Sequence, residues 1–321
     1  MWFWLLTSCA LLESQWSEPV DPGDTTQVFF EVPQGASARS LGPGLAEQGL
    51  IAAAWHWDAY LRLNDAGSCL KAGRFRVSKA QAVPALLETF CGVPVPDDVP
   101  FTVLEGWRIV EIDAALAEQG WIQAGEYAAL AGQPGRFELP FAVAGDTLEG
   151  LLFPDSYRVE PARWDTQAFI QRQLDTFGAV YGELASAGDR TAYDLVIMAS
   201  MVEREEPRPA NRALVAGILW KRLDAEWNLG VDATSRYTLE DWNDRRAFLR
   251  NLRDPNEAYN TRLRGGLPPG PIGNPGRSAL EAAAAPESSE WWFYLHDADK
   301  NLHSARSARE HEANRRKYNV W

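Results

Sequence analysis

"FEVPQGASARSLGPGLAEQGLI" (Phe30 to Ile51) and "FTVLEGWRIVEIDAALAEQGWI" (Phe101 to Ile122) align at a constant offset and share "LAEQG" letter for letter. Each copy reads as a short alternating strand, a turn at Gly35 or Gly106, and an amphipathic helix. Leu41 and Leu45 in one copy, and Ile112 and Leu116 in the other, carry the helical spacing. Gly49 and Gly120 follow the helices, where a left-handed cap costs glycine little. A second echo pairs "GRFRV" (Gly73 to Val77) with "GRFEL" (Gly135 to Leu139). Strand–helix units this small bury one face only, so they must pack against something larger.

Outward from the repeat, "VPVPDDVP" (Val93 to Pro100) reads as an extended connector, and residues 18–27, rich in Pro, Asp and Gly, read as a linker. The repeat region therefore runs over 28–144. From Gly145 the texture changes, and residues 145–321 read as a larger mixed domain, so the fold class is α+β. "DTLEGLLFPDSYRV" (Asp146 to Val159) predicts turn, strand, turn, strand. Helices are predicted over Pro161 to Leu184, Tyr193 to Arg204 and Asn211 to Glu226. "YNTRLRGGLPPGPIGNPG" (Tyr259 to Gly276) is a long structured loop, and Ser278 caps an Ala-rich helix that Pro286 halts. "EWWFYLHD" (Glu290 to Asp297) predicts a strand and Ala305 to Tyr318 a basic helix.

The 321 residues are 46% hydrophobic and 23% charged, enough for one large or two unequal domains. A net charge of −13 argues against nucleic acid as a partner, because neutralising phosphates needs surplus Lys and Arg. Fourteen tryptophans suit sugar faces, although Trp fills cores more often. His56, His296, His303 and His311 are too scattered for a metal site, and no metal or cofactor is expected. Cys69 and Cys91 can pair in an oxidising compartment or rest as two core thiols; the sequence leaves both open.

At the N-terminus, "MWFWLLTSCALLESQW" is apolar from Met1 to Leu12, too short to span a bilayer, which needs about 20 residues. Residues 1–17 read as the end of a membrane anchor, or as a lipoprotein signal with Cys9 acylated after "LTSC"; a buried N-terminal strand is the plain alternative. Either anchor puts the chain in the bacterial envelope, held to the membrane by its N-terminus, with the rest outside the cytoplasm.

Within "LVIMASMVEREEPRP" (Leu195 to Pro209), an apolar run ends in Glu203. Small Ala199 and Ser200 lie one turn back and leave room beside that carboxyl. An acid half-shielded by apolar surface holds its proton toward neutral pH, as a general acid must. The structural alternative is a helix-end Glu paired with an arginine.

"MASMVEREE" resembles the Ala-Ser-Ile-Val-Glu-Lys-Glu signature of the endolytic murein transglycosylase, or YceG-like, family. "LEGLLFPDSY" (Leu148 to Tyr157), "LGVDATSRY" (Leu229 to Tyr237) and the Tyr259 to Gly276 loop resemble three further blocks of that family, in order. The repeat region resembles a small LysM-like module. Ala233 stands where the family usually has proline, and Arg262 where it usually has an aromatic residue. Only His303 and His311 remain of its C-terminal His element.

The resemblance implies Glu203 as the catalytic acid, with Glu149, Asp232, Tyr259, Asn260 and Thr261 binding substrate. It implies peptidoglycan glycan strands as substrate and cell-wall synthases as partners. In the reaction it implies, the acid protonates the oxygen between N-acetylmuramic acid and N-acetylglucosamine. The same residue, now a carboxylate, then deprotonates the muramic C6 hydroxyl, which closes on C1 to give a 1,6-anhydro end and end strand elongation. An intramolecular nucleophile relaxes the need for a second carboxylate. A non-catalytic wall-binding scaffold is the alternative reading. A pyridoxal-phosphate lyase would need a Schiff-base lysine with a phosphate cup, and Lys221 has no Gly-rich loop beside it.

Overall fold

The structure, a computed structural model, describes residues 16–143, 145–182 and 190–320. The chain divides into two compact units, Met1–Val99 and Pro100–Trp321, each with its own hydrophobic core. The N-terminal anchor expected at 1–17 lies almost wholly outside the described residues. Among the described residues no helix is long and apolar enough to cross a membrane.

In the first unit, β1 (Val28–Val32) pairs antiparallel with β2 (Gly73–Val77), with Phe30 opposite Phe75. Period-two alternation turns Phe30, Val32, Phe75 and Val77 inward. Between the strands lie α1 (Gly42–Glu47) and α2 (Ala54–Leu63), and after them α3 (Val83–Cys91). Trp57 is fully buried and donates its indole N–H to the Ala38 carbonyl at 2.7 Å. Cys69 and Cys91 form a disulfide that ties the approach to β2 to the end of α3.

The second copy of the repeat builds the same order but belongs to the other core. β3 (Val99–Thr102), α4 (Ile109–Glu118) and α5 (Glu126–Ala131) lead to β4 (Ser156–Val159), the partner of β3. Gly49 and Gly120 both adopt positive φ, 67° and 72°, as the shared "LAEQG" requires. Two expectations need correction. The boundary falls after Val99 rather than at 144, because Phe101, Ile112 and Leu116 are buried in one core with Leu148, Leu151 and the helices that follow. Gly135 to Leu139 is not the second strand: Pro134–Arg136 is a single tight turn of helix, and the returning strand is β4. The intervening "LEGLLF" is likewise no strand; it is a buried turn inserted into the second copy.

The centre of the second unit is α7 (Ala192–Glu205), preceded by α6 (Thr166–Gly182). Thr191 and Asp194 form a reciprocal capping box at its start. Every residue from Leu195 to Val202 is buried, so the helix is enclosed on all sides. It packs against α8 (Pro209–Asp224) and α11 (Arg277–Ala284), whose alanines Ala279, Ala282 and Ala283 allow close approach. Gly217 in α8 lets the chain cross it: an added Cβ would stand 1.9 Å from the Glu287 carbonyl oxygen. Short helices α9 (Thr234–Tyr237) and α10 (Arg245–Asn251) carry the chain to the Gly/Pro loop. The C-terminus is β5 (Phe293–His296), β6 (Leu302–Ala305) and α12 (Ala308–Lys317), an antiparallel hairpin with a helix packed on it. The sequence predicts no strand at β6 and starts the last helix at Ala305, three residues early; Asp297 to Lys300 supply the turn between the strands.

Closing a loop of this length by a disulfide stabilises by about 3 kcal/mol through the unfolded chain. Cys69→Ser with Cys91→Ser should lower the unfolding free energy of the first unit by that amount and its denaturation midpoint accordingly. Fluorescence of the buried Trp57 region in the full chain, with and without reductant, reads it; an unchanged midpoint would refute it.

Candidate active site

Two glutamates at the end of α7 have opposite fates, because residues two apart on a helix point in different directions. Glu203 turns toward α8. Its Oε1 lies 2.5 Å from Arg212 Nη2, its Oε2 accepts from Arg212 Nη1 and from the Gly276 amide at 3.1 Å, and both side chains are about 5% exposed. Burial pushes the Glu203 carboxyl up, and the Arg212 guanidinium pulls against it. Both oxygens are spent on this bidentate pair, so the structure realises the arginine-paired alternative for Glu203.

Glu205, the last residue of α7, turns the other way and lines a cavity of about 450 Å3. With it stand Arg222, Asp232, Arg262, Tyr294, His296, His311 and Arg315. Tyr294 donates its hydroxyl to Glu205 Oε2 at 3.1 Å. Burial pushes the Glu205 carboxyl up and nearby Asp232 adds to it, while the Tyr294 hydroxyl and the Ala233 amide pull back. That amide exists because residue 233 is alanine; proline would have no N–H to give. Neither oxygen of Glu205 pairs with a guanidinium among the described residues.

Three elements hold the walls. Arg222 on α8 donates to the Trp292 carbonyl at 2.8 Å and the Leu229 carbonyl at 2.6 Å, tying the β5 side to the loop that carries Asp232. Asp232 itself accepts from Arg262 Nε at 2.6 Å, both side chains about half exposed at the rim. His311 on α12 stacks on Phe293, and burial lowers its pKa. His303 lies apart, stacked on Tyr318 and bonded to Asp297.

The other predicted site residues are placed elsewhere. Thr261 is buried and clamps the Asp232 loop: its hydroxyl accepts from the Val231 amide and its carbonyl from the Gly230 amide, both at 3.0 Å. Asn260, fully buried, donates to the Asn251 and Asp254 carbonyls. Tyr259 packs on Tyr237 with ring centroids 4.6 Å apart, and burial pushes its hydroxyl up to about 12. Glu149 is buried in the inserted turn and accepts from the Ile109 amide, from Asn274 Nδ2 at 3.0 Å and from the Tyr237 hydroxyl. Of the sequence candidates, then, Asp232 alone lines the cavity, and Glu205, Arg222, Tyr294 and His296 were missed. Position two past Glu203, on a helix buried all round, was the available signal for Glu205.

The sequence model of the YceG-like family matches residues 30–317, nearly the whole chain. The chain belongs to the YceG-like family. Among similar proteins, an endolytic murein transglycosylase of Bacillus subtilis is 25% identical over 317 residues, covering 94% of this chain and 87% of that protein. One from Streptococcus pneumoniae is 23% identical over 92% of this chain, which spans 59% of that longer relative. A crystal structure of a YceG-like protein from Listeria monocytogenes superposes with a TM-score of 0.60 at 22% identity. It covers 90% of this chain and 99% of that one, and it supports the fold.

Burial pushes the Glu149 carboxyl from its ordinary 4.5 up to about 7. The folded chain therefore keeps this proton to higher pH than the unfolded chain does. The contribution is full below the unfolded value and is lost as pH rises to about 7, worth roughly 3 kcal/mol. Wild type should lose stability between about pH 5 and about pH 8 relative to Glu149→Gln. Parallel stability–pH curves for the two proteins in denaturant titrations would refute this.

Proposed function

We propose that this YceG-like chain is an endolytic peptidoglycan lytic transglycosylase whose proton donor is Glu205. The observation that carries the reading is the contrast at the end of α7: Glu203 is consumed by Arg212, whereas Glu205 faces the cavity with its carboxyl pushed up by burial. The names of the Bacillus and Streptococcus relatives supply the substrate class.

Glu205 protonates the oxygen that links N-acetylmuramic acid C1 to N-acetylglucosamine. That C–O bond breaks as the muramic C6 hydroxyl bonds to C1, and the hydroxyl proton leaves to a base in the cavity. The product is a 1,6-anhydro end, and no water is consumed, so the enzyme is a lyase. Asp232 stands where it can favour developing positive charge on the ring. Thr261 positions the Asp232 loop, Asn260 holds the turn that leads to Arg262, and Glu149 fixes the start of α4, each without touching substrate. The β-α-α-β order of the first unit supports a LysM-like glycan-binding role for it. The disulfide supports an extracytoplasmic location, in keeping with an N-terminal membrane tether and with cell-wall synthases as partners.

Purified glycan strands digested with the full chain should yield anhydro-ended fragments, one water lighter by mass than hydrolysed ones. Glu205→Gln should lower the rate at least about 100-fold with the thermal midpoint unchanged. Glu203→Gln should instead cost about 3–5 kcal/mol of stability by stranding Arg212, and keep measurable turnover where folded. Because Glu205 acts protonated, the rate should fall as pH rises through its lifted pKa. Full activity in Glu205→Gln would refute the assignment.

A further inference from the structure

Glu206, the residue after Glu205, has no solvent exposure, yet it is a carboxylate without an arginine or lysine on it among the described residues. Its Oε1 accepts from the Arg208 amide at 2.7 Å. Its Oε2 faces His296 Nε2 at 3.0 Å. A buried carboxylate is costly unless hydrogen-bonded, so this contact fixes the histidine: Nε2 carries the hydrogen and points inward. Nδ1 is left with no hydrogen-bond partner among the described residues, on a side chain 21% exposed that lines the Glu205 cavity.

The spacing between the two groups is set by β5. Tyr294 and His296 are two apart on this strand and so share a face, with ring centroids 6.1 Å apart. Tyr294 touches Glu205 and His296 is held by Glu206. The strand therefore brings an acid and an imidazole to the same cavity. Of the other groups facing that cavity, Arg222, Arg262 and Arg315 are cations, Asp232 is held by Arg262 at the rim, and His311 is stacked on Phe293 with its Nδ1 buried away from the cavity.

We propose that His296 is the base of the reaction, oriented by Glu206, and that Glu205 need only be the acid. This rests on the donor role of Glu205 proposed above. In the step, Glu205 gives its proton to the glycosidic oxygen as the bond from C1 to that oxygen breaks. The C6 hydroxyl oxygen bonds to C1, and its proton passes to His296 Nδ1. The imidazolium so formed is stabilised by the Glu206 carboxylate, the arrangement by which a buried carboxylate serves a catalytic histidine. Charge is conserved: one proton leaves Glu205 and one arrives at His296, and they exchange through solvent after product leaves. Glu206 is a positioning residue, fixing the tautomer without touching substrate.

The test uses the full chain on purified glycan strands, with products resolved by mass. His296→Gln keeps an N–H for Glu206 and removes the base. It should lower kcat about 100-fold with KM nearly unchanged and the thermal midpoint close to wild type. It should also raise the share of hydrated ends, because water competes once the C6 hydroxyl is no longer deprotonated. His296→Ala should regain anhydro product when imidazole is added, which a merely structural histidine would not show. Glu206→Gln should lower kcat by a smaller factor, without rescue by imidazole. If His296→Gln turns over at the wild-type rate while Glu205→Gln is dead, the base assignment is overturned and the donor stands. If His296 variants are slow but give an unchanged product ratio and no rescue, the base assignment is overturned as well. An active Glu205→Gln overturns both.

Discussion

A buried ion pair, Arg212 with Glu203, decides what the end of α7 can do. A guanidinium enclosed to this degree must meet a carboxylate, and its planar fork takes both oxygens of the one it meets. The same arginine donates from Nε to the Glu206 carbonyl, closing the C-terminal end of the helix. With Glu203 committed and the helix end pinned, Glu205 and Glu206 have a fixed direction. The pair costs desolvation and is weak support for stability as such, but it selects one geometry out of several for a cluster of acids.

A comparable constraint operates on the other side of the core. Asn274, fully buried, accepts from the Leu152 amide and donates to Glu149 and to the Trp107 carbonyl. Three segments far apart in sequence meet on this one amide: the turn of the second repeat copy, the inserted "LEGLLF" and the Gly/Pro loop. Glu149 adds the start of α4, where a helix N-terminus favours a carboxyl oxygen. The second copy has thus exchanged the freedom of a separate module for a place in the larger core. Its returning strand is displaced to β4 because the insertion that supplies these contacts comes first.

Much of this was legible in the residues. The helices over Tyr193 to Arg204 and Asn211 to Glu226 lie within two residues of α7 and α8, since apolar spacing and the Thr191 cap fix them locally. The repeat gave the strand–helix order of both copies. What it could not give was which core each copy joins, because that depends on side chains such as Ile112 and Leu151, far apart in sequence, being buried in one cluster. The site was legible as a neighbourhood: "VEREE" holds both Glu203, the acid expected from the sequence, and Glu205, the one that lines the cavity. Choosing between Glu203 and Glu205 needs Arg212, whose position is a matter of how α8 folds back on α7. Asn260 and Thr261, expected from the resemblance to bind substrate, give their side chains to main-chain groups of neighbouring loops, a pairing that sequence spacing does not disclose.

The position of Glu205 bears on its protonation in three ways that act together. As the last residue of α7 it sits at the negative end of the helix dipole, which disfavours a carboxylate there. Burial removes water that would solvate the charge, and Asp232 nearby adds repulsion. Against these stand two neutral donors, the Tyr294 hydroxyl and the Ala233 amide, each able to steady the anion once the proton has gone. Neutral donors lower the barrier to giving the proton without holding the group ionised at rest, as an arginine would. Glu203 has the arginine and Glu205 has the donors, which is why the second of the two is suited to acid catalysis.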